Sequence, residues 1–306
     1  MPCETFNLKE YLKKRRALIE RALETYLPAS NGIYATILKA MRYSLFAGGK
    51  RLRPILCLAA AEAVGGQKET ALPVACALEM IHTYSLIHDD LPAMDDDDLR
   101  RGKPTNHKVF GEAIAILAGD GLLTEAFSLL SHSDSEQLGV NIKVPAERRL
   151  RVIHLIAQAA GYQGMVGGQV LDLECTGRDV DLETLSTLHQ HKTGALIRAA
   201  VKSGAILGGG TEEQIEALDQ YALQIGLAFQ IKDDILDIEG SVEEMGKAPG
   251  GDIAQRKSTY PRLLGLEKAK EKLRECIKKA KEKLAPFGDK ALPLNAIAEY
   301  IEKRRK

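Results

Sequence analysis

Two aspartate-rich runs are the features of this sequence best able to do chemistry. They read Asp89-Asp90-Leu-Pro-Ala-Met-Asp95-Asp96-Asp97-Asp98 and Asp233-Asp234-Ile-Leu-Asp237. Both follow strongly apolar stretches, where ionised carboxylates without partners are costly. Two carboxylates about 6 Å apart repel by roughly 3 kcal/mol at an effective dielectric constant near 20. Such dense clusters therefore predict multivalent cations as partners.

The donor atoms of these runs favour magnesium. Carboxylate oxygens without accompanying cysteine or histidine ligands are typical of Mg²⁺ sites. Mg²⁺ held by a few carboxylates usually completes its coordination shell with water and phosphate oxygens. The runs therefore predict a magnesium–phosphate site.

The spacing of the acidic residues places them on helices. Asp233 and Asp237 lie four apart, so both side chains project from one face near a helix C-terminal end. Asp95 follows Asp89 by six positions, which a regular helix does not put on one face, and a proline between them disrupts the helix. We expect a bulge at Leu91–Met94 to bring Asp95 back. One such run is more often a solvated helix end, but two runs opposing a helix dipole favour a bound cation.

Cationic side chains in glycine-punctuated segments could bind phosphate. They lie in Gly48-Gly49-Lys50-Arg51-Leu52-Arg53-Pro54, Arg100-Arg101-Gly102-Lys103 and His191-Lys192-Thr193-Gly194, with Lys247 and Lys257 after the second acidic run. Arginine can hold diphosphate oxygens bidentately, whereas lysine acts as a point charge. The first segment lacks the Walker spacing, and a basic turn considered alone is more often merely solvated.

Helical periodicity extends over nearly the whole chain. Apolar residues recur at three- and four-residue steps in Leu8–Tyr26, Tyr34–Leu45, Leu52–Val64, Ala71–Asp90, Gly111–Leu130, Glu147–Val166, Asp181–Leu207, Glu212–Asp237 and Leu266–Leu284. Continuous β-branched alternation is lacking, so no sheet is expected. No long linker or low-complexity tract divides the chain. The pattern predicts one all-α domain spanning residues 1–306.

The composition narrows the function classes. Lys+Arg and Asp+Glu both number 42 among 306 residues, so the formal net charge is zero. No global field is then available to hold nucleic acid or an anionic membrane. The five cysteines form no CxxC pattern, which favours reduced thiols in a cytoplasmic protein. We expect neither a signal peptide nor a membrane-spanning segment.

In combination, these motifs resemble those of the trans-prenyl diphosphate synthases. The segment from Ile81 to His107, which contains the first acidic run, is similar to that family's first aspartate-rich motif. The family's other blocks match in order: Gly48–Pro54, Gly168-Gln169-Val-Leu-Asp172, Lys192-Thr193-Gly194, Phe229–Asp237 and Lys257-Ser-Thr-Tyr-Pro261. The longer first motif, preceded by Tyr84-Ser85, is most similar to bacterial farnesyl diphosphate synthases.

The resemblance implies both a fold and a reaction. The expected fold is an antiparallel helical bundle around a deep central cavity, usually a homodimer, with the acidic motifs facing each other at its mouth. The expected reaction is the Mg²⁺-dependent head-to-tail condensation of isopentenyl diphosphate with dimethylallyl or geranyl diphosphate. The products would be (E,E)-farnesyl diphosphate and diphosphate.

The resemblance also implies roles for particular residues. The Mg²⁺ ligands would be Asp89, Asp95 and Asp233, supported by Asp90, Asp234 and Asp237. The allylic diphosphate would contact Arg100, Lys192, Thr193, Gln230, Lys247 and Lys257. The diphosphate of isopentenyl diphosphate would contact Lys50, Arg53, His82 and Arg101. The acidic side chains and Lys192 would be the catalytic residues.

Product length should depend on the residues beneath the first acidic run. Tyr84 lies five residues before Asp89, about 7.5 Å along a helix. Its ring would stop the growing chain at fifteen carbons, and the neighbouring Ser85 offers room without depth. Tyr84 could instead simply pack in the core. The alternative activity is that of a geranylgeranyl diphosphate synthase, whose floor would lie around Leu122–Phe127.

Other interpretations also remain open. A terpene cyclase could share the helical bundle but would not need the second diphosphate pocket. A non-catalytic regulatory subunit would have eroded acidic motifs, whereas both are intact here. Gln169 and Asp172 could close the cavity wall, but hydrogen bonding between helices is favoured for them. The basic tail, residues 302–306, could fold over the site, although fraying is the commoner fate of a terminus.

Overall fold

The computed structural model describes residues 6–132, 143–239 and 258–305. In chain order the helices are α1 (Leu8–Tyr26), α2 (Ala35–Leu45), α3 (Leu52–Ala63), α4 (Lys68–Asp89), α5 (Asn106–Phe110), α6 (Glu112–Ser131), α7 (Ala146–Ala160), α8 (Met165–Cys175), α9 (Leu182–His189), α10 (Ala195–Gly208), α11 (Glu212–Glu239), α12 (Tyr260–Leu264), α13 (Leu266–Lys283) and α14 (Leu292–Lys303). Short 3₁₀ segments cover Gly32–Tyr34 and Ala285–Ala291. One small antiparallel hairpin, β1 (Leu99–Arg100) with β2 (Lys103–Pro104), follows the first acidic run. The predicted all-α fold class is confirmed.

The centre of the bundle is formed by α3, α4 and α10, whose side chains are mostly buried. Glycines allow α10 to approach α3 at backbone distance. A Cβ atom on Gly204 would lie 2.0 Å from the carbonyl oxygen of Cys57, and one on Gly208 would lie 2.8 Å from that of Ala61. The neighbouring helices α6 and α11 pack against this centre and carry the remaining motifs.

In length and composition, α4 and α6 would each qualify as a membrane span. The apolar window of α4 is 72% buried in the bundle, as expected of a core helix, whereas that of α6 is 33% buried. Core helices of globular proteins commonly pass such a test, so it is weak support for a membrane location. The exposed side of α6 is instead a candidate for contact with another protein surface.

Most predicted helices agree closely with the structure, but one is wrong. The periodicity predicts a single helix over Glu147–Val166, whereas α7 ends at Ala160 and α8 begins at Met165. The chain breaks at Gly161 and Gly164, and a Cβ atom on Gly164 would lie 2.1 Å from the carbonyl oxygen of Ala159. The sequence patterns also missed the hairpin and the C-terminal helix α14.

Candidate active site

A bulge returns the first acidic run to the end of α4, as expected. The amide of Asp95 donates to the carbonyl oxygen of Asp89 at 2.9 Å, and the amide of Asp96 donates to that of Leu91 at 3.1 Å. Asp96 adopts a positive φ of 50°, which reverses the chain. Asp89 and Asp95 are therefore close neighbours although six positions separate them.

Asp90 and Arg100 are held together beside this bulge. The Arg100 Nε donates to Asp90 Oδ1 at 2.8 Å, and its guanidinium also donates to Asp97 Oδ2 at 3.0 Å. Asp90 is only 3% exposed. Arg100 is thus bonded to the acidic run and braces its shape.

Lys192 lies on a one-turn π-helical segment, Gln190–Gly194, between α9 and α10. Its Nζ donates to Asp172 Oδ2 of α8 at 2.5 Å. Burial opposes the charge of Lys192, but Asp172 and Asp89 outweigh it and raise the pKa of the ammonium group. The charge of Lys192 therefore acts on the first acidic run, and Thr193 follows it on the same segment.

The second acidic run lies near the C-terminal end of α11, and its members have different partners. Asp234 is 5% exposed and accepts a 2.8 Å hydrogen bond from the amide of Tyr260. Asp234 therefore anchors the start of α12 to α11. Asp233 instead pairs with Arg304, whose guanidinium nitrogen lies 2.5 Å from Asp233 Oδ1. Asp237 is buried as well.

A pocket of about 140 Å³ brings several predicted site residues together. Its lining includes Asp172, Lys192, Gln230, Asp233 and Asp234, together with His189. His189 was not predicted from the sequence. Its Nδ1 lies 3.4 Å from the Gln230 side-chain nitrogen, and its ring stacks on that of Tyr260.

The basic turn before α3 forms a compact cationic surface with Arg101. The Arg101 guanidinium donates to the carbonyl oxygen of Gly48. A Cβ atom on Gly49 would lie 2.6 Å from a nitrogen of the same guanidinium. Burial lowers the pKa of both Arg53 and Arg101. Charge density of this kind is suited to a bound diphosphate. Lys50, on the same turn, is exposed.

His82 lies close to the same cationic surface. Burial, followed by the charges of Arg53 and Arg101, places the pKa of His82 well below its usual value. The ring is therefore neutral at physiological pH. It can offer a hydrogen bond to a diphosphate oxygen without adding to the local positive charge.

A buried ion pair supports the basic turn from below, and the sequence patterns did not reveal it. Arg51, with a positive φ of 53°, turns inward between Lys50 and Arg53. Its guanidinium donates to Glu79 Oε1 and to the carbonyl oxygen of Leu45, both at 2.7 Å. The turn is thereby fixed to α4, the helix that also carries His82.

Each acidic run offers the carboxylate oxygens through which Mg²⁺, completed by phosphate and water, is commonly bound. Burial raises the pKa of Asp89 to about 6, partly opposed by Lys192 and reinforced by Asp95. Partial burial also raises the pKa of Asp233, whose side chain is still 43% exposed, and Arg304 partly opposes the rise. Among the described residues, no three acidic or histidine side chains converge closely enough to hold a metal ion alone. Mg²⁺ bound through a few carboxylates plus phosphate and water does not need such a cluster.

Tyr84 lies beneath the first acidic run and is 7% exposed. Its ring meets that of His88 edge to face, with centroids 5.7 Å apart. The His88 Nε2 lies 3.0 Å from the carbonyl oxygen of Ile116 on α6, where Gly119 leaves room for the ring. Ser85 donates to the carbonyl oxygen of His82 at 2.9 Å.

Three further predictions concern two lysines after the second acidic run and the basic C-terminal tail. Lys247 and Lys257 lie outside the described residues. Fraying was the favoured outcome for the basic tail, and for Arg304 this is wrong, because its side chain is 3% exposed and docks on α11. Apart from the positive charge of the tail, no sequence pattern indicates this contact.

Known proteins are similar to this chain over nearly its whole length. A polyprenyl synthetase family profile matches residues 34–291. The chain is 50% identical over 298 residues to a farnesyl diphosphate synthase of Geobacillus stearothermophilus, covering 97% of this chain and 98% of that protein. It is 49% identical over 305 residues to a geranylgeranyl diphosphate synthase of Cyanophora paradoxa, covering 99% of each.

A solved structure is similar over the same length. An apo FPP/GFPP synthase from Zymomonas mobilis matches with a TM-score of 0.83 at 41% identity, covering 97% of this chain and 99% of that one. The sequence relatives carry names for different product lengths at almost equal identity. These comparisons therefore leave the product length open.

Proposed function

This chain belongs to the polyprenyl synthetase family and is a prenyltransferase, and on that premise we propose that it synthesises (E,E)-farnesyl diphosphate. Trans-prenyl diphosphate synthase activity is common to its relatives. The proposed substrates are isopentenyl diphosphate with dimethylallyl and then geranyl diphosphate. Two condensations would give the fifteen-carbon product.

The residues of the site support a division of labour between two diphosphates. Asp89, Asp95 and Asp233 would hold Mg²⁺, which when bound supplies Lewis-acid stabilisation of the leaving diphosphate. Lys192 and Gln230 line the same pocket as Asp233, so they would orient the allylic diphosphate there. Their donors are already placed before the reaction starts, which lowers the cost of the charge that develops.

The second substrate would bind at the cationic surface. Lys50, Arg53 and Arg101 would hold the diphosphate of isopentenyl diphosphate, with neutral His82 as a further donor. The allylic carbon–oxygen bond breaks, the isopentenyl double bond attacks the resulting cation, and a proton then leaves to the released diphosphate. The apolar faces of the central helices exclude water that would quench the cation.

The observation that carries the farnesyl assignment is the position of Tyr84. Its ring is buried one and a half turns before Asp89 and is braced by His88. A growing prenyl chain that runs from the acidic run along α4 would meet this ring. The aromatic side chain would thus act as the floor that limits the product.

Replacement of Tyr84 tests this assignment. We expect Tyr84→Ala to shift the main product from fifteen towards twenty carbons, because the chain can then extend past the missing ring. The measurement is chromatography of dephosphorylated products made from dimethylallyl diphosphate and labelled isopentenyl diphosphate. Ser85→Ala is the neighbouring control and should change the product distribution less. An unchanged product in the Tyr84 variant would refute the floor.

A geranylgeranyl product is the alternative. It is favoured by the 49% identity to a protein of that name. In that case the floor would be formed by residues of α6 such as Leu122, which is fully buried against α4. Wild type would then make mainly the twenty-carbon product, and Tyr84→Ala would change the product distribution little.

We also propose that the enzyme acts as a homodimer. The support is an exposed apolar surface formed by the 3₁₀ segment before α2 and the outer face of α6. Ile33 is 90% exposed and Leu117 is 54% exposed. They line an open groove of about 450 Å³. A second copy of the chain would cover this surface.

A further inference from the structure

Arg304, two residues before the last residue of the sequence, pairs with Asp233, a metal ligand of the proposed site. It follows the end of α14, and its amide donates to the carbonyl oxygen of Tyr300 at 2.9 Å, which ends the helix. Its guanidinium lies 2.5 Å from Asp233 Oδ1 and 3.1 Å from the carbonyl oxygen of Phe229. The guanidinium carbon also lies 4.2 Å from the centroid of the Phe229 ring.

The ion pair between Arg304 and Asp233 is partly buried and differs from an ordinary surface ion pair. The side chain of Arg304 is 3% exposed, while that of Asp233 is 43% exposed and faces the pocket. The next residue, Arg305, is exposed and carries the same charge. The tail therefore directs one arginine of an adjacent pair into the site.

Arg304 is 3% exposed, so water screens its charge little, and it would repel a second cation at the same carboxylate. A Mg²⁺ ion that binds Asp233 while Arg304 is docked would meet this repulsion. A bound diphosphate supplies negative charge that offsets it. Metal binding at the second acidic run then becomes dependent on diphosphate binding.

We propose that Arg304 is a surrogate cation for Asp233 and makes metal loading at the second acidic run conditional on the diphosphate. In the free enzyme the guanidinium compensates the carboxylate. With diphosphate present, the metal takes over that role. This inference rests on the proposed function, because it takes Asp233 to be a metal ligand.

The test measures metal binding rather than turnover. Mn²⁺ is titrated into the full-length protein with and without inorganic diphosphate, and free Mn²⁺ is followed by electron paramagnetic resonance against protein-free titrations at the same diphosphate concentration. For wild type and for the matched control Arg305→Gln, we expect weak binding alone and much tighter binding with diphosphate. For Arg304→Gln, binding without diphosphate should be at least fivefold tighter than in the control. The ratio of the Mn²⁺ affinity with diphosphate to the Mn²⁺ affinity without it should fall accordingly.

The outcomes separate this inference from the proposed site. Equal Mn²⁺ affinities for Arg304→Gln and Arg305→Gln, or weaker binding in the former, would overturn the surrogate role. Asp233→Asn is measured in parallel, and wild-type affinity in that variant under both conditions would remove Asp233 from the metal site itself. If Arg304→Gln does not fold, a chain that ends at Lys303 is used, for which the same fivefold change is expected.

Discussion

The carboxyl group of Asp89 shows how a functional residue can weaken the fold that holds it. Burial raises its pKa from 3.8 to about 6, although Lys192 opposes the shift. A carboxyl whose pKa is higher in the folded state favours folding while protonated. Its contribution is lost as the pH rises through the folded pKa, here between about 4 and 6. At neutral pH this ionised group therefore lowers the free energy of unfolding.

The metal-free Asp89→Asn variant should be more stable than wild type at pH 7.5 and inactive. A shift of about two pKa units corresponds to about 3 kcal/mol at most, so we expect a melting temperature higher by about 2–5 °C. The advantage should vanish below about pH 4, where the wild-type carboxyl is protonated. Differential scanning calorimetry across this pH range, with a chelator present, is the measurement.

Asp98→Asn provides the matched control for this prediction. Asp98 belongs to the same acidic run, but its side chain is 73% exposed and pairs with Lys108. Removal of that carboxylate should bring no gain in melting temperature. A loss of stability in Asp89→Asn at pH 7.5 would contradict the assigned burial of its charge.

At the scale of elements, glycines fix the segment that carries Lys192. A Cβ atom on Gly168 of α8 would lie 2.1 Å from the amide nitrogen of Lys192. Gly226 of α11 approaches Gly194 from the other side, where a Cβ atom would lie 3.1 Å from its Cα. The π-helical turn is therefore packed between two helices at backbone distance. The position of Lys192 therefore depends on glycine at both position 168 and position 226.

Gly168→Ala should displace this turn and slow catalysis. Overpacking at a backbone contact costs about 1–3 kcal/mol, and a shift of the lysine by about 1 Å can cost on the order of 100-fold in rate. We expect kcat to fall at least tenfold, measured as diphosphate release at saturating substrates. The melting temperature should fall only by a few degrees.

Gly204→Ala is the contrasting variant at the same scale. It introduces a methyl group between α3 and α10, far along the bundle core from the lysine turn, at 2.0 Å from a carbonyl oxygen. Its main effect should be on the melting temperature, with kcat of the folded fraction changed less than twofold. If Gly168→Ala and Gly204→Ala behave alike, Gly168 has only a packing role.

The sequence predicted elements best where periodicity alone determines them. The bounds predicted for the first helix, Leu8–Tyr26, are those of α1. Thr211, which precedes two glutamates in the sequence, caps α11, because its hydroxyl accepts from the amide of Gln214. The break between α7 and α8 was missed because Gly161 and Gly164 interrupt an otherwise unbroken apolar pattern. That break depends on backbone angles that periodicity does not encode.

The candidate site was predictable in its acidic and basic segments but not in its tertiary pairings. The spacing of Asp89 and Asp95 indicated the bulge, since their separation on a regular helix made one necessary. The pairing of Arg304 with Asp233 joins residues 71 positions apart. The Arg51–Glu79 pair likewise joins the turn before α3 to α4. No local pattern specifies such contacts, because they depend on how the helices pack.

At the scale of the whole molecule, the chain leaves an apolar surface that a monomer would not need. The sequence showed no interface because α6 is apolar on nearly all sides, so no separate stripe stands out. In the structure, Ala118 and Leu122 face the core, whereas Ile116 and Leu117 face outward at 43% and 54% exposure. Tyr34 extends the same surface at 67% exposure.

Leu117→Glu should therefore convert the proposed dimer into a monomer. A buried carboxylate without a partner costs several kcal/mol, and in a symmetric dimer the substitution would count twice. Sedimentation velocity at about 10 μM protein should show wild type at twice the monomer mass and Leu117→Glu at the monomer mass. Leu150→Glu is the matched control, since Leu150 is 66% exposed on α7, away from the α6 groove. If wild type sediments as a monomer, the proposed dimer is wrong. If Leu117→Glu stays dimeric, the dimer interface lies elsewhere.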